Sequence, residues 1–113
     1  MVNPRNKGNR IQRKLITYLE SKGWIVSKAE VGGKFVKQKD MFGLFDLVAI
    51  KPGTVLFVQV TCNRPHTHKN FQSFSNKYAN DSIWIEQYVY MDYKGFNKFI
   101  YYPLNYKTKE KVV

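Results

Sequence analysis

Cys62 is the chain's single cysteine, so no disulfide can form within it and no cysteine-based zinc site can be assembled. A reducing, intracellular setting, the cytoplasm, is the expectation that follows. Long apolar runs are also missing. None approaches the roughly 20 residues that span a bilayer, and Met1-Val2-Asn3-Pro4-Arg5 has no apolar signal core. A soluble protein with no membrane partner is expected. Internal repeats and low-complexity tracts are absent as well. Acidic residues are scarce: 8 Asp and Glu stand against 19 Lys and Arg, a net charge of +11 on 113 residues. So strong a positive field draws in polyanions and supplies the sequence-independent part of nucleic-acid binding. Nucleic acid is the partner this charge points to, with a basic solubilising surface or a ribosome-like packing role as the alternative.

What is present indicates one packed domain. Hydrophobic residues make up 43% and aromatics 16%, above what disordered chains carry, while 113 residues enclose only a single core. The globule is expected over residues 8 to about 104, with a basic arm at 1–7 and a lysine-rich, frayed tail at 105–113.

Two short apolar runs lie at the centre, Asp46-Leu47-Val48-Ala49-Ile50 and Val55-Leu56-Phe57-Val58-Gln59-Val60-Thr61, joined by Lys51-Pro52-Gly53-Thr54. They read as a hairpin of two strands. Strand alternation puts Val55, Phe57, Gln59 and Thr61 on one face and Leu56, Val58 and Val60 on the other. In simple register Asp46 lies level with Gln59 to Thr61. A carboxylate beside two polar side chains at a strand end suits a divalent cation and a phosphate.

Around this hairpin, Ile11, Leu15, Tyr18 and Leu19 recur at helical spacing, which predicts an amphipathic helix from Asn9 to Lys22 ended by Gly23. A strand follows from Trp24 to about Glu30. Val31 to Gly43 is a basic, glycine-bearing loop suited to a phosphate backbone, or equally to plain solvation. Phe71, Phe74 and Tyr78 predict a second helix over Asn70–Ala79, with Thr67 as a candidate cap. Strands over Ser82–Asp92 and Asn97–Tyr102 complete the domain, with a turn at Tyr93-Lys94-Gly95-Phe96 and a stop at Pro103. The order is helix, three strands, helix, two strands. Consecutive early strands can pair antiparallel, and the strand after the second helix can return in parallel. The fold class is therefore α/β, with a mixed sheet of about five strands flanked by helices.

The αβββαβ order and certain short motifs resemble the PD-(D/E)XK nuclease superfamily, with its restriction-endonuclease-like fold. The motifs are Lys7-Gly8, Lys22-Gly23-Trp24, Lys39-Asp40, Phe45-Asp46-Leu47-Val48-Ala49-Ile50 and Leu56-Phe57-Val58-Gln59-Val60-Thr61, which span about residues 7 to 64. The nearest likeness is to archaeal Holliday junction resolvases and to nucleases of phages and other viruses. The resemblance implies a DNA endonuclease using Mg²⁺ or Mn²⁺, acting as a homodimer on branched DNA, with Asp46 as a metal ligand. The family's third-strand Glu-x-Lys falls on Gln59-Val60-Thr61, and a first-helix glutamate of resolvases falls on Gln12. A glutamine carbonyl can still face magnesium but brings no charge, and threonine cannot act as a cationic lysine.

Glu30 and Asp40 are candidates to compensate, and the catalytic set on this reading is Asp46, Gln59, Thr61 and Glu30, with Asp46, Glu30, Gln59 and Asp40 on the metal. A phage-type branch of the superfamily resembles the Lys39-Asp40-Met41-Phe42-Gly43 pattern followed by Asp46 and Val58-Gln59-Val60-Thr61. Arg10, Arg13, Lys14, Lys34, Lys37, Lys39, Arg64 and Lys69 are the candidate DNA-backbone contacts.

Each candidate also has a plainer reading: Gln59 as a satisfied core amide, Glu30 and Asp40 as surface acids, and Asp46 as a residue opening a strand. His66 and His68 suit metal binding or proton donation, but read first as exposed loop histidines. Tyr88, Tyr90, Tyr101 and Tyr102 suit base stacking, but read first as core or interface. The alternative function is a nuclease-fold DNA-binding protein that has lost catalysis.

Overall fold

The computed structural model describes residues 4–29, 41–92, 94–102 and 106–112, with side chains described for 8–29, 41–92 and 94–102. Its elements are α1 (Pro4–Ser21), β1 (Ile25–Lys28), β2 (Leu47–Lys51), β3 (Thr54–Cys62), α2 (His68–Tyr78), β4 (Ile83–Met91), β5 (Gly95–Tyr102) and β6 (Tyr106–Val112). One sheet holds all six strands in the order β1-β2-β3-β4-β5-β6. The class is α/β with a mixed sheet, as the residue pattern predicts.

Helix α1 starts earlier than expected, inside the supposed arm, because Pro4 needs no N–H partner in a first helical turn. Its apolar stripe of Ile11, Leu15 and Leu19 is fully buried. At its end the Trp24 N–H reaches Leu19 O at 3.2 Å and the Gly23 N–H reaches Glu20 O at 3.0 Å, a Schellman closure. Gly23 supplies the positive φ of 94° that the closure requires.

The β1–β2 and β2–β3 pairs are antiparallel, and β3 pairs with β4 in parallel after the α2 crossover. Pro52 and Gly53 turn β2 into β3, with Gly53 at φ 74° as a type II turn requires at its third residue. Alternation along β3 then divides the core. Leu56 and Val58 join Leu47, Ala49, Tyr88 and Phe96 under α1, with Val60 and Cys62 packed alongside. Phe57 turns the other way, into the cluster of Phe45, Phe71, Ile85 and Tyr101 beneath α2. Each helix therefore covers one face of the sheet.

The tail does not fray as expected. Tyr106–Val112 adds a sixth strand antiparallel to β5, with Tyr102 opposite Tyr106 and Phe96 opposite Val112. Its lysines suggest a solvated segment, but an edge strand tolerates such a composition because one of its sides stays open to water.

Candidate functional site

Asp46 stands one residue ahead of β2, where the chain enters the sheet. Its backbone is fixed on both sides: Asp46 N–H donates to Val58 O at 2.8 Å, and Asp46 O accepts from Ala29 N–H at 2.8 Å. Its carboxylate Oδ2 accepts from the Val60 N–H at 3.1 Å. A side-chain oxygen thus serves a backbone donor of β3 where the regular β2–β3 ladder ends.

The turn that delivers Asp46 is strained. Phe42 and Gly43 have φ of 56° and 70°, and Leu44 N–H closes on Met41 O at 3.0 Å. Two consecutive positive φ values are the mark of a type I′ turn, where Asn or Gly is usual in place of a bulky aromatic. The left-handed backbone at Phe42 costs on the order of 1–2 kcal/mol. Ring contacts with Phe57 and Phe74, at centroid distances of 5.9 and 5.6 Å, offset it.

Gln59 is 5% exposed and faces Asp46. The hydrogen-bond environment sets the orientation of its amide. Nε2 donates to Leu44 O at 2.6 Å and to Asp46 Oδ2 at 3.2 Å, while Oε1 accepts from His66 Nε2 at 2.9 Å. Carboxylate, amide and imidazole form a chain in which each bond polarises the next.

A second chain starts from the neighbouring strand. Gln87, opposite Gln59 in the β3–β4 register, is wholly buried. Its Oε1 accepts from the His66 backbone N–H at 2.6 Å. Its Nε2 donates to the Tyr101 hydroxyl at 2.8 Å. The same hydroxyl lies 2.6 Å from His68 Nδ1. Burial pushes Tyr101 from its ordinary 10.0 up to about 12, against a smaller downward pull from the Gln87 hydrogen bond. The hydroxyl therefore stays protonated.

Between these residues and α2 lies a cavity of about 210 Å³ lined by Gly43, Leu44, Gln59, His66, Thr67, Asn70 and Phe71. No carboxylate is among these lining residues. Thr67 occupies the N-cap position of α2 as expected, but its side chain makes no capping hydrogen bond. A larger cavity of about 470 Å³, between Asn80, Trp84, Lys98 and Tyr102, is lined by Tyr101 and Tyr102 but by none of the candidate catalytic, metal or DNA-backbone residues.

The structure therefore brings Asp46 and Gln59 together as the hairpin register predicts, and adds His66. Thr61 lies further along β3, where its hydroxyl is buried and has no partner among the described residues. Gln12 is half-buried on α1, across the sheet from this chain of bonds. Glu30, Lys34, Lys37, Lys39 and Asp40 lie outside the described residues. Arg10, Arg13, Lys14, Arg64 and Lys69 are all exposed. The first three line a shallow groove with Thr17, and Lys14 Nζ sits 5.4 Å from the centre of the Tyr90 ring.

His66 is an exposed loop histidine as expected, but not an unattached one, and His68 is neither exposed nor in the loop, since it opens α2. His66 is bonded through both ring and backbone, and half-buried His68 meets Tyr101. The signal available in the sequence was the pair of glutamines inside apolar strands, because a buried amide requires partners. Tyr88 and Tyr101 belong to the core, as their plainer reading has it, whereas Tyr102 is 44% exposed.

Among the described residues, no three His, Cys, Asp or Glu side chains gather where they could hold a metal ion. Asp46 Oδ2 already accepts two N–H groups and the Gln59 oxygen already accepts one. These two residues by themselves do not fit a complete divalent-cation site, for which hard oxygen ligands must be open. No described helix is long and apolar enough to cross a membrane. The chain matches no family model and no curated protein.

Proposed function

We propose that this chain is a DNA endonuclease of the PD-(D/E)XK kind, resolvase-like, hydrolysing phosphodiester bonds. The observation that carries the reading is the placing of Asp46 against Gln59 at the junction of β2 and β3. The surrounding frame is a helix, three antiparallel strands, a crossover helix and a parallel strand. The exposed Arg10, Arg13 and Lys14 on α1 supply cations for a phosphate backbone. The reading assigns Mg²⁺ or Mn²⁺ to Asp46, and a homodimer on branched DNA belongs to the same proposal through the family resemblance.

A second reading is a DNA-binding protein on this frame without catalysis. The bond from His66 to the Gln59 carbonyl favours it, since that oxygen is already engaged. Incubation with branched, single-stranded and duplex DNA in Mg²⁺ or Mn²⁺ separates the two. The nuclease reading expects cleavage that Asp46→Asn abolishes while DNA binding persists. Folded protein that binds these substrates and leaves all of them intact leaves only the second reading.

A further inference from the structure

Along α2, Asn70, Phe74 and Tyr78 recur at every fourth residue, with Lys77 three after Phe74, so the four share one face of the helix. This face and the turn of residues 41–45 enclose a groove of about 320 Å³, to which the turn contributes Phe42 and Leu44. Its aromatic rings touch in series. Phe42 and Phe74 lie 5.6 Å apart between ring centres, and Phe74 and Tyr78 4.7 Å apart. Phe42 is 63% exposed and Tyr78 54% exposed, while Phe74 is half-buried and meets both.

Folding alone accounts poorly for this surface, because Phe42 holds a left-handed backbone at φ 56° and still leaves most of its ring in water. The charge names the occupant. Lys77 is the one charged side chain among the described residues that line the groove, and no carboxylate is among them. On a chain of net charge +11 that setting opposes a second copy and favours a polyanion. A nucleic-acid strand offers both flat base faces for the rings and phosphates for the lysine. At 1.5 Å per residue, Asn70 to Tyr78 spans about 12 Å, the length of about three bases at 3.4 Å each. Leu44 and Asn70 also line the cavity beside Gln59, so a strand lying in the groove leads to the candidate site.

We propose that this groove binds unpaired bases of a DNA strand, stacked on Phe42 and Tyr78 with Lys77 against the phosphates, an inference that rests on the DNA-binding part of the reading above and not on cleavage. Paired DNA keeps its base faces inside its own stack. The groove therefore selects strands whose bases are open beside the site.

The test measures, by fluorescence anisotropy, the binding of a short mixed-sequence single strand and of an abasic strand of the same length and charge. Wild type, Phe42→Leu, Tyr78→Leu and Tyr78→Phe are compared, and the ring resonances of Phe42, Phe74 and Tyr78 in wild type are followed by NMR through both titrations. Leucine keeps apolar bulk but cannot stack. Wild type is expected to prefer the base-bearing strand by at least about 10-fold, a preference that falls at least about fivefold in each leucine variant and survives in Tyr78→Phe. The wild-type rings are expected to shift with the base-bearing strand and not with the abasic one, which decides the matter where a leucine variant does not fold. Equal affinity for the two strands overturns the inference and leaves DNA binding through the phosphates standing. A preference that both leucine variants keep, or rings that the base-bearing strand does not move, also overturns it. Rings that respond to protein concentration alone assign the groove to a second copy and overturn it as well. A folded wild type that binds neither single-stranded nor duplex DNA at low salt removes the DNA reading and this inference together.

Discussion

Gln59 and Gln87 lie opposite each other across β3 and β4, and both amides end on His66. Gln87 also donates to the Tyr101 hydroxyl, so one side chain ties the loop before α2 to β5. Gln87→Leu keeps much of the volume but strands the His66 N–H. A loss of about 1–3 kcal/mol in unfolding free energy is expected, measured by urea denaturation.

Asp46 has a structural role separable from any chemistry, because its Oδ2 accepts from Val60 and Gln59. Asp46→Ala leaves both donors without that acceptor and is expected to cost about 1–3 kcal/mol. Asp46→Asn retains a neutral acceptor and should cost less than half as much. Thermal melts of the two variants, beside their cleavage rates, separate stability from catalysis.

Tyr101 makes the stability dependent on pH in the alkaline range. Its folded-state pKa of about 12 lies above the ordinary value of 10.0, so the folded protein holds this proton more tightly than the unfolded chain. The contribution is fully present below pH 10 and is lost as pH rises through 12. Urea midpoints should fall between pH 10 and pH 12 in wild type. In Tyr101→Phe the part of that fall due to this hydroxyl disappears, on top of a lower baseline because Gln87 and His68 lose a partner.

The exposed cations of α1 carry the electrostatic prediction. Replacing Arg10, Arg13 and Lys14 together by alanine should lower the slope of log K against log salt by about 3, near one unit per phosphate contact. Affinity should weaken evenly across DNA sequences, as read by fluorescence anisotropy over a salt series. An unchanged slope places the DNA on another surface.

Much of the frame is legible in the residue pattern because the relevant signals are local. Ile11, Leu15 and Leu19 recur once per helical turn, Gly23 has the freedom its cap requires, and Pro52-Gly53 fixes the hairpin and so the level of Asp46 against Gln59. What the pattern conceals depends on contacts between distant residues. Phe42 adopts a left-handed backbone in a turn that carries no Asn or Gly at that position, with its ring against Phe57 and Phe74 from other elements. His66 looks like a loop residue until Gln59 and Gln87 come together across the sheet. Tyr106–Val112 has the composition of a solvated tail, and β5 makes it a strand.

That last strand also bears on self-association. The sheet ends at β1, four residues long, and at β6, whose seven residues include Lys107, Lys109 and Lys111. A short edge and a lysine-bearing edge are both poor templates for a further strand. Among the described residues, then, neither edge of the sheet favours the addition of a strand from a second copy.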